Sequence, residues 1–129
     1  MEEFWDKMNK KLEKNTSMFG RSIESSHKKL ISKCYKCMSD CYYMPYSIDQ
    51  CSFCEKKCQD VVKEVHRELQ HLVEVVHKDY EDCNKICDRN YDKPDENLKS
   101  CYRKCVKNVP ENFDSIINLA EKIISKHSS

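Results

Sequence analysis

The chain has 129 residues, enough for one modest domain and too few for two ordinary ones, so residues 1–129 read as a single domain. Charged residues make up 35% and much of the 39% apolar fraction is cysteine and tyrosine, so the aliphatic core is thin and cross-links would help it. With 23 basic and 22 acidic residues intermixed, a net charge of +1 leaves no electrostatic footprint for nucleic acid or an anionic membrane.

The one glycine, Gly20, cannot build a GxGxxG or P-loop phosphate cradle, which excludes nucleotide-dependent enzymes of those types. The longest uncharged stretch, around CYYMPYSI, is short and polar, so no membrane span is expected. The opening MEEFWDKMNKK has neither an apolar signal core nor an Arg/Ser-rich, acid-poor character. An oxidising destination is therefore expected to be reached without a cleaved N-terminal signal.

Period-3.6 patterning dominates and predicts an all-α protein, an antiparallel bundle of three long helices at about 3–43, 48–90 and 94–126. The first carries Phe4, Met8, Leu12, Phe19, Ile23, Leu30, Cys34, Cys37 and Cys41 on one stripe, with a weakened seam at Asn15/Thr16 and a break expected near Gly20. MPYS interrupts the pattern, and Ser47 with Gln50 has the spacing of a capping box for the second helix. That helix runs from Cys51 through Cys54, Cys58, Val62, Val65, Leu69, Leu72, Val76, Tyr80 and Cys83 to Cys87. NYDKPDEN forms the next turn, with Pro94 expected at the first helical position and Asp95 and Glu96 in the first turn. The third stripe comprises Leu98, Cys101, Cys105, Val109, Phe113, Ile116, Ala120 and Ile123, with a kink or restart expected at Pro110.

The ten cysteines can be divided in two ways. Cys34, Cys37, Cys51 and Cys54 have a C-x2-C…C-x2-C spacing that suits tetrahedral zinc, the basis of an alternative reading as a zinc-binding regulatory module. Against it, six cysteines are left over, the second half has no C-x2-C, and no basic face accompanies the motif. The other division gives four C-x3-C units: Cys37/Cys41, Cys54/Cys58, Cys83/Cys87 and Cys101/Cys105. Cysteines four apart share a helix face, and two such pairs in an antiparallel hairpin can form two stacked bridges.

Facing residues in a hairpin have numbers of constant sum. Cys37 with Cys58 and Cys41 with Cys54 share the sum 95, while Cys83 with Cys105 and Cys87 with Cys101 share 188. The first register sets Leu30 opposite Val65; the second sets Leu72 opposite Ile116 and Leu69 opposite Leu119. The hairpins at 34–58 and 83–105 thus read as an internal repeat. Cys34 and Cys51 lie outside the scheme. A three-bridge ladder, Cys34–Cys58, Cys37–Cys54 and Cys41–Cys51, would absorb them and remains open beside the repeat-based pairing. As free thiols, they would be the candidates for redox chemistry.

Twin C-x3-C hairpins resemble those of small proteins of the mitochondrial intermembrane space, including the small Tim chaperones, which carry one twin unit in a shorter chain. Two units, with KCMSDC, CEKKC, CNKIC and CYRKCV and a helix before and after, more closely resemble the eukaryotic "family with sequence similarity 136", over roughly residues 5 to 125. The eight C-x3-C cysteines are the matching positions, and Cys34 and Cys51 depart from the pattern. That family is associated with mitochondria and has no established catalytic activity. The resemblance implies a non-enzymatic, disulfide-stabilised protein of the intermembrane space without a cofactor. It further implies oxidation during import by the oxidoreductase of the disulfide relay, and a protein-interaction or chaperone-like, proteostatic role.

Val76 and Tyr80, on the face of Cys83, could dock such an oxidase, although core packing is the preferred reading. His27, His66, His71, His77 and His127 show no i, i+4 pair and are expected on solvated faces. The pairs Phe4/Trp5 and Tyr42/Tyr43 are expected to pack at bundle ends in preference to touching a partner or lipid.

Overall fold

A computed structural model describes residues 1–128, and all its regular structure is helical: α1 (Glu2–Ser22), α2 (Glu24–Cys41), α3 (Ile48–Asn90), α4 (Glu96–Lys107) and α5 (Val109–Ser128). The three expected helical arms are present, the first and third each interrupted once. No helix among the described residues is long and apolar enough to cross a membrane.

The first interruption falls at Ile23, three residues beyond Gly20, which sits inside α1 with ordinary helical backbone. Two side chains in α1 turn back onto the preceding turn: Thr16 Oγ1 donates to Leu12 O at 2.9 Å and Ser22 Oγ to Met18 O at 2.9 Å. Such back-bonding competes with the helical ladder and favours a bend. Ile23 then leaves helical geometry with φ −105° and ψ 5°, yet remains buried.

The second interruption falls at Asn108, and Pro110 occupies the second position of α5. There it lacks an N–H that would have no intrahelical partner anyway, so it restarts a helix without costing a bond. At the preceding turn the expectation needs correcting. Pro94 stands before α4, and Asp95 is its N-cap, accepting hydrogen bonds from the backbone N–H groups of Asn97 (3.0 Å) and Leu98 (3.2 Å). An aspartate satisfies two orphan donors there, which is why the helix starts two residues later, at Glu96. At the start of α3, the backbone N–H of Ser47 donates to Gln50 Oε1 (2.9 Å) and that of Gln50 to Ser47 Oγ (3.2 Å), forming the expected capping box.

The helices assort into two units, Met1–Ser22 with His71–Asn118, and Ile23–Gln70 with Leu119–Ser129. The first has a core of Met8, Phe19, Val76, Tyr80, Leu98, Tyr102, Val106, Val109 and Phe113, with Phe19 stacked on Phe113 at 5.2 Å. The second has no aromatic residue in its core, with Ile23, Leu30, Val65, Leu69, Ala120 and Ile124 and the buried cysteines Cys41, Cys51 and Cys58; Cys87 and Cys105 are buried in the first. Leu30 and Val65 are both buried, as their register requires. Leu119, which the register set opposite Leu69, is exposed, while Ala120 is buried as its stripe requires and Ile124 takes the inward position expected of Ile123. Val109, Phe113 and Ala120 of the expected stripe are buried beyond the break, and only at its end does the inward position pass from Ile123 to Ile124.

Candidate functional site

In the first hairpin α2 and α3 run antiparallel, and Cys37 is bonded to Cys58 and Cys41 to Cys54. Their Cα–Cα separations of 5.9 and 5.8 Å lie within the span that a disulfide bridges without moving backbone. The two bridges stack, with the sulfurs of Cys41 and Cys58 3.9 Å apart. Spacing along the sequence causes this: residues four apart on each helix recur on one face, one turn above the other.

In the second hairpin Cys83 is bonded to Cys105 and Cys87 to Cys101, each with a Cα–Cα separation of 5.8 Å. The sulfurs of Cys87 and Cys105 are 3.7 Å apart. The two hairpins are the same device built twice.

Cys34 and Cys51 are free thiols, the first half-buried and the second buried. Each lies against the stack from opposite ends. Cys34 Sγ donates to the backbone carbonyl of Cys58 at 3.6 Å, and Cys51 Sγ to that of Cys41 at 3.3 Å.

The set Cys34, Cys37, Cys51 and Cys54 is not assembled as a tetrathiolate, because Cys37 and Cys54 are each committed to a bridge with another partner. The sulfurs of Cys41, Cys54 and Cys58 do lie within 4.8 Å of one another. All three belong to bridges, and a bridged sulfur carries no thiolate with which to ligate a metal.

The surroundings of the hairpins differ. Over the second, Trp5 packs on Tyr102 at 4.7 Å and Phe4 on Tyr102 at 5.9 Å, with the Arg103 guanidinium 5.5 Å from the Phe4 ring. The Tyr102 hydroxyl donates to Asp88 Oδ1. Burial, then that hydrogen bond and the carboxylate charge, push the Tyr102 phenol up to about 12. Asp88 precedes Arg89 in the last turn of α3, so a phenol meets a carboxylate there. No motif rule singles out that pair, but residues 88 and 102 nearly share the hairpin's register, which is the signal that finds it.

The turn of the first hairpin is uncovered. Tyr43, Ile48 and Phe53 are 85%, 73% and 61% exposed, and Tyr42 is half exposed, contrary to the expectation of end packing for Tyr42/Tyr43. Among the described residues, Tyr42, Tyr43, Tyr46 and Phe53 pair with no other aromatic ring. The Tyr42 hydroxyl donates to Glu55 at 2.7 Å, and this bond, more than burial, raises its pKa. Beside the turn an open groove of about 600 Å³ is lined by Tyr46, Phe53, Lys57 and Val61 and by the Cys37–Cys58 bridge.

His66 and His71 are exposed, as expected, but two histidine contacts between helices have no local signal in the sequence. His27 and His66 meet Nε2 to Nε2 at 2.7 Å, which requires one ring to donate and the other to accept. Burial first, then the facing His27, holds the His66 imidazole below its ordinary range. His77 Nε2 lies 3.0 Å from Thr16 Oγ1. A search for i, i+4 ligand pairs misses contacts between helices; residues 27 and 66 come within two of the sum shared by the bridges. Val76 and Tyr80 are buried, in keeping with core packing.

Comparison of the chain with family models, curated proteins and solved structures gives no match. The fold and the bridges define the class: a small all-α protein of disulfide-stapled helical hairpins.

Proposed function

We propose that the chain is a non-enzymatic protein of the mitochondrial intermembrane space and belongs to the "family with sequence similarity 136" that it resembles. Its helices are oxidised on arrival by the disulfide relay of that compartment, and it then acts through contacts with other proteins in a chaperone-like or proteostatic role. The observation that carries the reading is the repeated C-x3-C hairpin, stapled twice in each copy. Such bridges persist in oxidising compartments and are lost where glutathione and thioredoxin keep thiols reduced. What supports an interaction role is the exposed apolar turn of the first hairpin, with Tyr43, Ile48 and Phe53 beside an open groove. An extended apolar client segment finds aromatic surface there.

Protease protection of isolated mitochondria, combined with thiol alkylation, tests the proposal. The expected result is a protein shielded in intact organelles, digested once the outer membrane is ruptured, and carrying two alkylatable thiols. A cytosolic protein with all ten thiols reduced contradicts it. So does stoichiometric zinc held by Cys34, Cys37, Cys51 and Cys54 after purification without reductant.

A further inference from the structure

Each free thiol touches a particular member of the bridge stack. Cys34 lies against Cys58 and Cys51 against Cys41, while Cys58 and Cys41 are themselves the sulfurs in contact at 3.9 Å. A ladder of Cys34–Cys58, Cys37–Cys54 and Cys41–Cys51 would bond each free sulfur to the residue it already packs against. Access is one-sided. Cys34, Cys37 and Cys58 line a pocket of about 140 Å³, and Cys37 is exposed. At the other end the Cys41–Cys54 bridge lines an open groove of about 450 Å³, but the thiol there, Cys51, is 3% exposed, so a small disulfide does not reach it directly.

We propose that Cys34 and Cys51 are the two ends of a thiol–disulfide relay that runs through the bridges of the first hairpin and takes a small disulfide, such as glutathione disulfide, as its oxidant. The Cys34 thiolate attacks the small disulfide, forming a mixed disulfide and releasing one thiol. The Cys51 thiolate attacks Cys41, forming Cys41–Cys51 and freeing Cys54. Cys54 attacks Cys37, forming Cys37–Cys54 and freeing Cys58. Cys58 attacks the Cys34 sulfur of the mixed disulfide, forming Cys34–Cys58 and releasing the second small thiol. Two protein thiols are oxidised, one small disulfide is reduced to two thiols, and the two thiol protons leave with them.

Each new bond joins a cysteine to a residue about one helical turn from its old partner. α2 therefore moves along α3 by roughly one turn, on the order of 5 Å. The connection between α2 and α3, residues 42–47, lies outside both helices and takes up the shift. The exchange is stoichiometric, adds to the interaction role without requiring it, and does not depend on the compartment. The second hairpin has no flanking cysteines and is its internal control.

The test incubates the full-length oxidised protein with glutathione disulfide, quenches with acid, alkylates, and maps non-reduced peptides. In the wild type, Cys34 and Cys51 are expected to lose alkylation together, with Cys34–Cys58, Cys37–Cys54 and Cys41–Cys51 peptides appearing and the second hairpin unchanged. Cys34→Ser should slow oxidation of Cys51 by roughly tenfold or more, since a small disulfide can then react only with the Cys54 or Cys58 thiol that exchange transiently frees. Cys51→Ser should instead accumulate the glutathione adduct on Cys34 that the wild type resolves. Wild-type protein that stays unreacted, or stops at a Cys34 adduct with the original bridges intact, overturns the relay. Loss of the Cys51 thiol at an unchanged rate in Cys34→Ser overturns it too.

Discussion

The two hairpins share the C-x3-C units, the nested pairing and the bridge span, and differ in what surrounds them. The second is roofed by Phe4, Trp5 and Tyr102 and tied by the Tyr102–Asp88 hydrogen bond. The first has no aromatic roof, exposes its turn, and is flanked by two thiols. A repeated cross-link thus serves two ends. Where apolar cover exists, the bridges reinforce a packed structure; where it is missing, they are the main constraint, and their neighbours can engage in exchange.

Deleting the inner bridge of each hairpin is the strongest way to break this comparison. Cys41→Ala with Cys54→Ala and Cys87→Ala with Cys101→Ala should each cost about 2–4 kcal/mol in urea unfolding. Hydrogen exchange separates them: the first pair should lose amide protection through Cys34–Cys58, while the second retains much of its own beneath the aromatic roof. Equal local loss in both would show that the roof contributes little.

Truncating the roof should come next. Trp5→Ala is expected to cost about 1–3 kcal/mol, through lost burial and aromatic contact with Tyr102. Tyr43→Ser at the exposed turn should change stability by less than about 0.5 kcal/mol.

The Tyr102 hydroxyl is worth less than its ring. Tyr102→Phe should lower stability by about 0.5–1.5 kcal/mol, and an ultraviolet pH titration should lose a phenol raised to about 12.

The smallest effect is that of acid on the second unit, the one holding His27 and His66. The folded His66 pKa is lowered, so between it and the ordinary value near 6.5 the unfolded chain binds the extra proton. Its contribution to stability is complete above about 6.5 and is lost as pH falls through the folded value. Thermal midpoints should therefore drop on going from about pH 7.5 to 5.5, and less so in His66→Asn.

How far residues alone lead depends on the kind of constraint. Helical arms, the Ser47/Gln50 box and the hairpin registers follow from periodicity and spacing, because a helix fixes which residues share a face. Toward the far end of α5 that reasoning slips: Ile124 is buried in place of Ile123, and Leu119, the register partner of Leu69, lies outside. Contacts between helices such as His27–His66 and Tyr102–Asp88 have no local signature, although the register already implied near neighbours. The burial of Cys51 against Cys41, on which the exchange chemistry rests, depends on how the turn at 42–47 is cut, which spacing alone does not determine.

The central claim is the pairing itself, and non-reducing peptide mapping of protein purified without reductant and alkylated at once tests it most directly. The expected map has Cys37–Cys58, Cys41–Cys54, Cys83–Cys105 and Cys87–Cys101 linked, with Cys34 and Cys51 alkylated. A map with every cysteine alkylated, or with bridges joining one hairpin to the other, would contradict it.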